Sequence, residues 1–180
     1  MSIVLDRENK LSSSNILKYA KEKGLVLRIG FISIRRAKDF LDDITYRRIN
    51  FWESKGLLTD VSRNKKVGWR KLSLMNILQL AIISDLRRFE CSIKKIKTIL
   101  NHLEKTSLFS PERDTSKAKS SLEYSLFSAW KGAKCLLLID EQGMVSLSNK
   151  NKAMQSTNAS SAVLILPFYK YANMLRKYEI

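Results

Sequence analysis

Between Ser73 and Phe89 the apolar residues Leu74, Ile77, Leu78, Ala81, Ile82 and Leu86 recur at helical spacing. They cover so much of the circumference that a helix there is buried on most sides. A chain holding such a helix must wrap other elements around it. With 180 residues and 44% hydrophobic content, there is enough apolar material for one moderate or two small packed units. Ser92 caps a further helix, in which Ile93, Ile96, Leu100 and Leu103 form a stripe while Lys94, Lys95 and Lys97 lie elsewhere on its surface.

Upstream of this core the run TYRRINFWESKGLL (45–58) reads as a short helix with Thr45 as N-cap. Ile49 and Trp52 fall on its inner face, and Tyr46, Arg47, Asn50 and Ser54 on its outer face. The outer face is polar and cationic, which suits a helix that is read by another molecule. Further on, a cationic loop with Arg63, Lys65 and Lys66 turns at Gly68 and returns through Trp69, Arg70 and Lys71, the pattern of a β-hairpin wing.

These two runs carry a resemblance to the MerR family of bacterial transcription regulators. That family's DNA-binding domain has a helix–turn–helix, a "Y-Y-E-x-x-G-L-L" stretch, a wing with "G-Y-R-x-Y-S" and two more helices. Here the stretches read Phe51-Trp52-Glu53-Ser54-Lys55-Gly56-Leu57-Leu58 and Gly68-Trp69-Arg70-Lys71-Leu72-Ser73. The family's "L-R-E-L-G-F-S-L-E-E-I" is matched by Leu86-Arg87-Arg88-Phe89-Glu90-Cys91-Ser92-Ile93-Lys94-Lys95-Ile96, with lysines in place of the acidic pair. Asn50 stands where an arginine usually precedes the two aromatics. The resemblance covers about residues 31–104 and implies double-stranded DNA as partner. It implies a backbone contact for Arg70, and a homodimer that engages RNA polymerase at a promoter.

The residue types give each position a role. A bidentate arginine–guanine pair in the major groove is worth roughly 1–3 kcal/mol of discrimination, which makes Arg47 the first candidate for base contact. Tyr46 and Asn50, one turn apart, are set to reach base edges or adjacent phosphates, and Arg48 on the flank a phosphate. Arg63, Lys65, Lys66 and Lys71 add charge without sequence information. Trp69 either packs the hairpin or touches DNA; Trp52, sharing a face with Ile49, belongs to the core.

Charge is distributed accordingly. The formal net charge is +16, and residues 1–106 hold 23 basic against 11 acidic side chains while residues 107–180 hold 10 against 6. This is the footprint of a nucleic-acid-binding half joined to a more neutral half. Cys91 and Cys135 are far apart and without partners at metal spacing, so no disulfide framework, metal or cofactor is expected. Asp42-Asp43 reads as a turn between helices rather than a metal pair. No signal-like or membrane-spanning apolar run is present, and the expected location is the cytoplasm, at the nucleoid.

The segmentation that follows is residues 1–30 as an N-terminal extension with a helix over Ser14–Lys23, and 31–106 as the winged helix–turn–helix domain, its first helix over 33–41. Residues 107–117 form a linker, and 118–180 a compact α+β module for dimerisation or effector binding. In the last part a helix over Ser116–Lys131 stops at Gly132. Strands at Cys135–Ile139, Met144–Ser148 and Ala162–Leu166 and a final helix after Pro167 complete it. The fold class expected is mainly α with small β elements.

The helix over 116–131 serves equally as a short dimer helix or as part of the module's interior. A few members with a Tyr-Arg-x-aliphatic-x-aromatic-Trp recognition helix end in a short strand–turn–strand module, which this chain also resembles. Catalysis is not expected. The one histidine, His102, lies away from its helix's apolar stripe, and no Gly-rich phosphate loop, HExxH or nucleophile elbow occurs. The alternative to a promoter-bound regulator is an accessory factor of a mobile element, excisionase-like or serving plasmid or phage replication and packaging.

Overall fold

The structure is a computed structural model that describes residues 13–24, 31–33, 41, 44–58, 62–63, 70–109, 121–149 and 162–176. In chain order the elements are α1 (Ser13–Gly24), β1 (Phe31–Ser33), α2 (Tyr46–Ser54), β2 (Ser62–Arg63), β3 (Arg70–Ser73), α3 (Leu74–Arg88) and α4 (Ile93–Lys105). There follow α5 (Leu122–Trp130), β4 (Cys135–Ile139), β5 (Val145–Asn149), β6 (Leu164–Leu166) and α6 (Phe168–Arg176). Two small antiparallel sheets, in the orders β1-β3-β2 and β5-β4-β6, sit within a helical body.

Helix α3 is the hub. Eleven of its residues are buried, among them Ile77, Leu80, Ile82, Ile83 and Leu86 at no exposure. Burying side chains of this size contributes roughly 1.5–3 kcal/mol each. Its start is held by a capping box: the Asn76 amide donates to Ser73 Oγ at 3.1 Å, and the Ser73 amide donates to Asn76 Oδ1 at 3.0 Å. Asn76 Nδ2 then donates to Gln79 Oε1, so both amides tolerate burial because their polar atoms are partnered.

Three helices end on the same device. After α2, Leu57 N donates to Trp52 O and Gly56 N to Glu53 O, with Gly56 at φ +67°. After α3 the pairs are Cys91 with Leu86 and Glu90 with Arg87; after α5 they are Ala133 with Ser128 and Gly132 with Ala129. Each is a Schellman closure, which needs one left-handed residue. Glycine fills that position twice; at the third it is Glu90, at φ +58°, where the family string has glycine.

One apolar core is continuous through residues before and after 107. Tyr171 of α6 donates its hydroxyl to Asp85 Oδ2 of α3 at 2.5 Å. Helix α1 packs on α5, with Tyr19 edge-on to Phe127 at 4.8 Å between centroids. His102 of α4 donates from Nδ1 to Gly143 O at 3.1 Å, and a Cβ on Gly143 would lie 3.4 Å from Thr98 Cγ2. The β4–β5 turn therefore sits directly on α4.

The sequence expectations need correcting at several points. The helix over 33–41 does not begin as expected, because Ser33 lies in β1, where Phe31 pairs with Ser73 and Ile32 with Leu72. Leu41 is not helical, and residues 34–40 lie outside the described residues, as do Asp42-Asp43 and 25–29. The helix expected over Ser116–Lys131 starts only at Leu122, since Ser121 Oγ accepts from the Tyr124 amide as N-cap. The third strand shortens to Leu164–Leu166, because β4 offers partners only from Leu137 to Ile139.

Of the stretch expected as a linker, Ser107 is fully buried and donates to Glu123 Oε1 at 2.7 Å, while the Leu108 amide donates to Glu123 Oε2 at 2.8 Å. Residues 110–120 lie outside the described residues. Strands β4 and β5, the turn between them and the final helix lie where the alternation and Pro167 place them, within a residue or two.

Candidate nucleic-acid interface

Helix α2 begins because Thr45 Oγ accepts from the Arg48 amide at 3.3 Å, satisfying one of the orphan donors of the first turn. It is pinned from below by Ile49 at 0% and Trp52 at 5% exposure. It ends because the Schellman closure turns Leu57, itself buried, back beneath Trp52. Only two of its nine residues are buried. Of the remaining side chains, Asn50 and Glu53 are half-buried and the others exposed.

Tyr46, Arg47, Arg48, Phe51 and Ser54 are exposed. Arg47, Phe51 and Ser54 follow at spacings of four and three, so they make one ridge along the outer face. Ser54 Oγ donates to Phe51 O at 2.7 Å, and Lys55 Nζ lies 5.5 Å from the centroid of the Phe51 ring. That separation is within the range of a cation–π contact.

Asn50 departs from its expected place. It is half-buried on the flank of the ridge, and its Oδ1 is buried without a hydrogen-bond partner among the described residues. The helical rotation that buries Ile49 and Trp52 carries position 50 toward the body and position 51 outward. An orphaned buried carbonyl oxygen of this kind costs roughly 1–3 kcal/mol until something donates to it.

Of the cationic residues expected in the hairpin, Arg63 lies in β2 and Arg70 and Lys71 in β3, with Arg63 paired to Arg70 and Ser62 to Lys71. Two cationic positions thus stand opposite each other in the register. Lys65, Lys66 and Trp69 lie outside the described residues. Strand β2 pairs antiparallel with β3, while the turn expected at Gly68 lies outside the described residues.

Sequence reasoning passed over two residues beside α2. Phe51, 47% exposed, was hidden by the neighbouring Trp52, although its spacing of four from Arg47 marks it. Lys97 comes from α4, and its Nζ would lie 3.1 Å from a Cβ at Gly56, so an ammonium sits by the carbonyl end of α2, where a cation is electrostatically favoured. No local signal in the sequence points to that contact.

The described residues hold no cluster of three or more metal-ligating side chains. Cys91 and Cys135 are both free, and burial pushes the Cys135 thiol above its ordinary range. No described helix is long and apolar enough to cross a membrane. The described residues thus include a capped helix with Arg47 and Arg48 exposed and a strand pair whose sequence carries Arg63, Arg70 and Lys71, cationic groups of the kind that meet a polyanion.

Residues 43–103 match the family model described as MerR HTH family regulatory protein. The match takes in α2, β2, β3, α3 and nearly all of α4. It marks this stretch as a helix–turn–helix segment of DNA-binding transcription regulators, whose partner is double-stranded DNA. No curated protein matches the chain.

Proposed function

We propose that this chain, whose residues 43–103 are a MerR-type helix–turn–helix segment, is a sequence-specific regulator that lays α2 in the major groove and grips the flanking backbone with the β2–β3 hairpin as a wing. The observation that carries this reading is the division within α2. Ile49 and Trp52 are locked into the core while Arg47 stands on the exposed ridge. An arginine whose backbone is held by a capped, tightly anchored helix has only its side-chain freedom left to lose on meeting a guanine edge, which favours readout over a loose electrostatic embrace.

In this reading Arg47 contacts a base, Tyr46 and Arg48 meet base edges or phosphates at the entry of the helix, and Arg63, Lys65, Lys66, Arg70 and Lys71 neutralise the backbone. Asn50, half-buried on the flank, meets a base edge or phosphate from beside the ridge. The protein acts as a homodimer on an inverted repeat, in the cytoplasm at the nucleoid, and engages RNA polymerase at a promoter. Its role is binding rather than catalysis.

The test is to recover sheared genomic DNA with the full chain at physiological salt, sequence it, and repeat with Arg47→Ala and Lys65→Ala. Sharp peaks at promoters that vanish with Arg47→Ala support the reading. Lys65→Ala should weaken specific and random duplexes alike and lower the salt slope by about one. Peaks at attachment sites or origins would assign the chain to a mobile element's accessory machinery. Broad recovery unchanged by Arg47→Ala would end the claim of sequence reading.

A further inference from the structure

We infer that Phe51 is a specificity-determining residue of this interface and reads the 5-methyl group of a thymine in the major groove. The inference rests on the placement of α2 in the groove proposed above. It starts from the two adjacent aromatics on α2: Trp52 is buried at 5% exposure, whereas Phe51 is 47% exposed on the outer ridge, on the same face as Arg47. A phenyl ring in water gives up the free energy of burial, which it regains where a partner surface covers it.

The chemistry around the ring narrows that partner. Arg47 stands one turn before it, and the Lys55 ammonium lies 5.5 Å from its centroid, so the ring is bracketed by cations. A purely apolar protein surface that covered the ring would strip water from both charges without compensation. The major groove offers both things at once: guanine and phosphate acceptors for the cations, and one apolar group, the thymine methyl, for the ring.

The ring has no hydroxyl, so it neither donates to a phosphate nor bridges to a base acceptor. Ser54, next along the ridge, has committed its hydroxyl proton to Phe51 O at 2.7 Å. Between the two cations, what this part of the ridge presents to a base edge is thus the apolar ring, with the Ser54 oxygen left only as an acceptor. The four residues from Arg47 to Phe51 advance about 6 Å along the helix, so the thymine read by Phe51 lies about two base-pair steps from the guanine read by Arg47.

The test enriches duplexes from a random library with the full chain, then replaces each thymine of the selected duplex by deoxyuridine, one at a time, and measures affinity. Loss of one buried methyl predicts about a fourfold weaker complex at a single position, or at its symmetry-related pair in a repeat. Phe51→Ala should bind the thymine and uracil duplexes equally well while retaining its helical circular dichroism. The uracil series on the unaltered protein needs no variant, so the outcome does not hang on how Phe51→Ala folds. If every uracil substitution is silent, or if the loss persists in Phe51→Ala, this inference falls while the reading by Arg47 stands. If no sequence is enriched, the placement of α2 in the groove has failed and this inference fails with it.

Discussion

Helices α2 and α3 lie side by side in the chain and are built for opposite purposes. In α2 two of nine residues are buried, and its stability comes from its ends: Thr45 at one, Gly56 and Leu57 at the other. In α3 eleven of fifteen are buried, and even its polar Asn76 and Gln79 are folded inward with partners. A short helix that must show most of its surface has too little burial to hold itself, so capping and a two-residue foothold take over. The contrast shows how a segment can be held in place while contributing few residues to the core.

Substitutions in the two regions should therefore fail differently. The largest effect is expected from the support: Phe168→Ala, at a fully buried ring, should cost about 3–5 kcal/mol in urea unfolding. Tryptophan fluorescence and circular dichroism should report one shared transition, since the core is continuous through residues before and after 107. Two separated transitions would show that the two regions stand alone.

Next comes a pH effect confined to the support. Burial, then the hydrogen bond to Asp85 and that residue's charge, raise the Tyr171 hydroxyl well above its ordinary range, against a smaller opposing influence of Arg88. The folded chain then keeps a proton that the unfolded chain releases above the usual tyrosine value of about 10. This contribution is complete below that pH and declines as pH rises beyond it, at up to about 1.4 kcal/mol per pH unit. Tyr171→Phe should remove that part of the slope in alkaline denaturation; an identical slope in both proteins would contradict it.

In the display helix the effects are smaller. Thr45→Ala should cost about 1 kcal/mol by stripping the cap from the Arg48 amide, and should weaken DNA binding more than its effect on global unfolding accounts for. Glu90→Gly should stabilise the chain by about 0.5 kcal/mol, because glycine adopts φ +58° without the strain a side chain incurs there. A destabilised Glu90→Gly protein would mean that the glutamate side chain does more than occupy the turn.

Much of this was legible in the residues because it is local. Thr45, Ser73 and Ser92 announce their helices through hydroxyls that reach three residues ahead, and Gly56 announces an ending. The alternation at 135–149 is visible for the same reason. What was not legible is non-local. Phe31–Ser33 becomes a strand because β3 has a second edge to fill, which no spacing around Ile34, Ala37 and Leu41 discloses. On α2, periodicity puts Arg47 on the face that the structure leaves exposed, but the exchange between Asn50 and Phe51 turns on a rotation of a fraction of a helical turn, set by how Ile49 and Trp52 seat against the core. Lys97 reaches the end of α2 from about forty residues downstream.

The packing of α1 on α5 and of α6 on α3 has a consequence for how this chain comes into being. A ribosome that has just finished the segment matching the family model has produced α2 and the hub helix α3, but not the Tyr171 hydroxyl that closes on Asp85 or the Gly143 turn that seats on α4. The hub waits, part of its apolar surface uncovered, until α6 has been made and has left the exit tunnel. Contacts this far apart along the chain delay the completion of the core relative to the synthesis of its central helix.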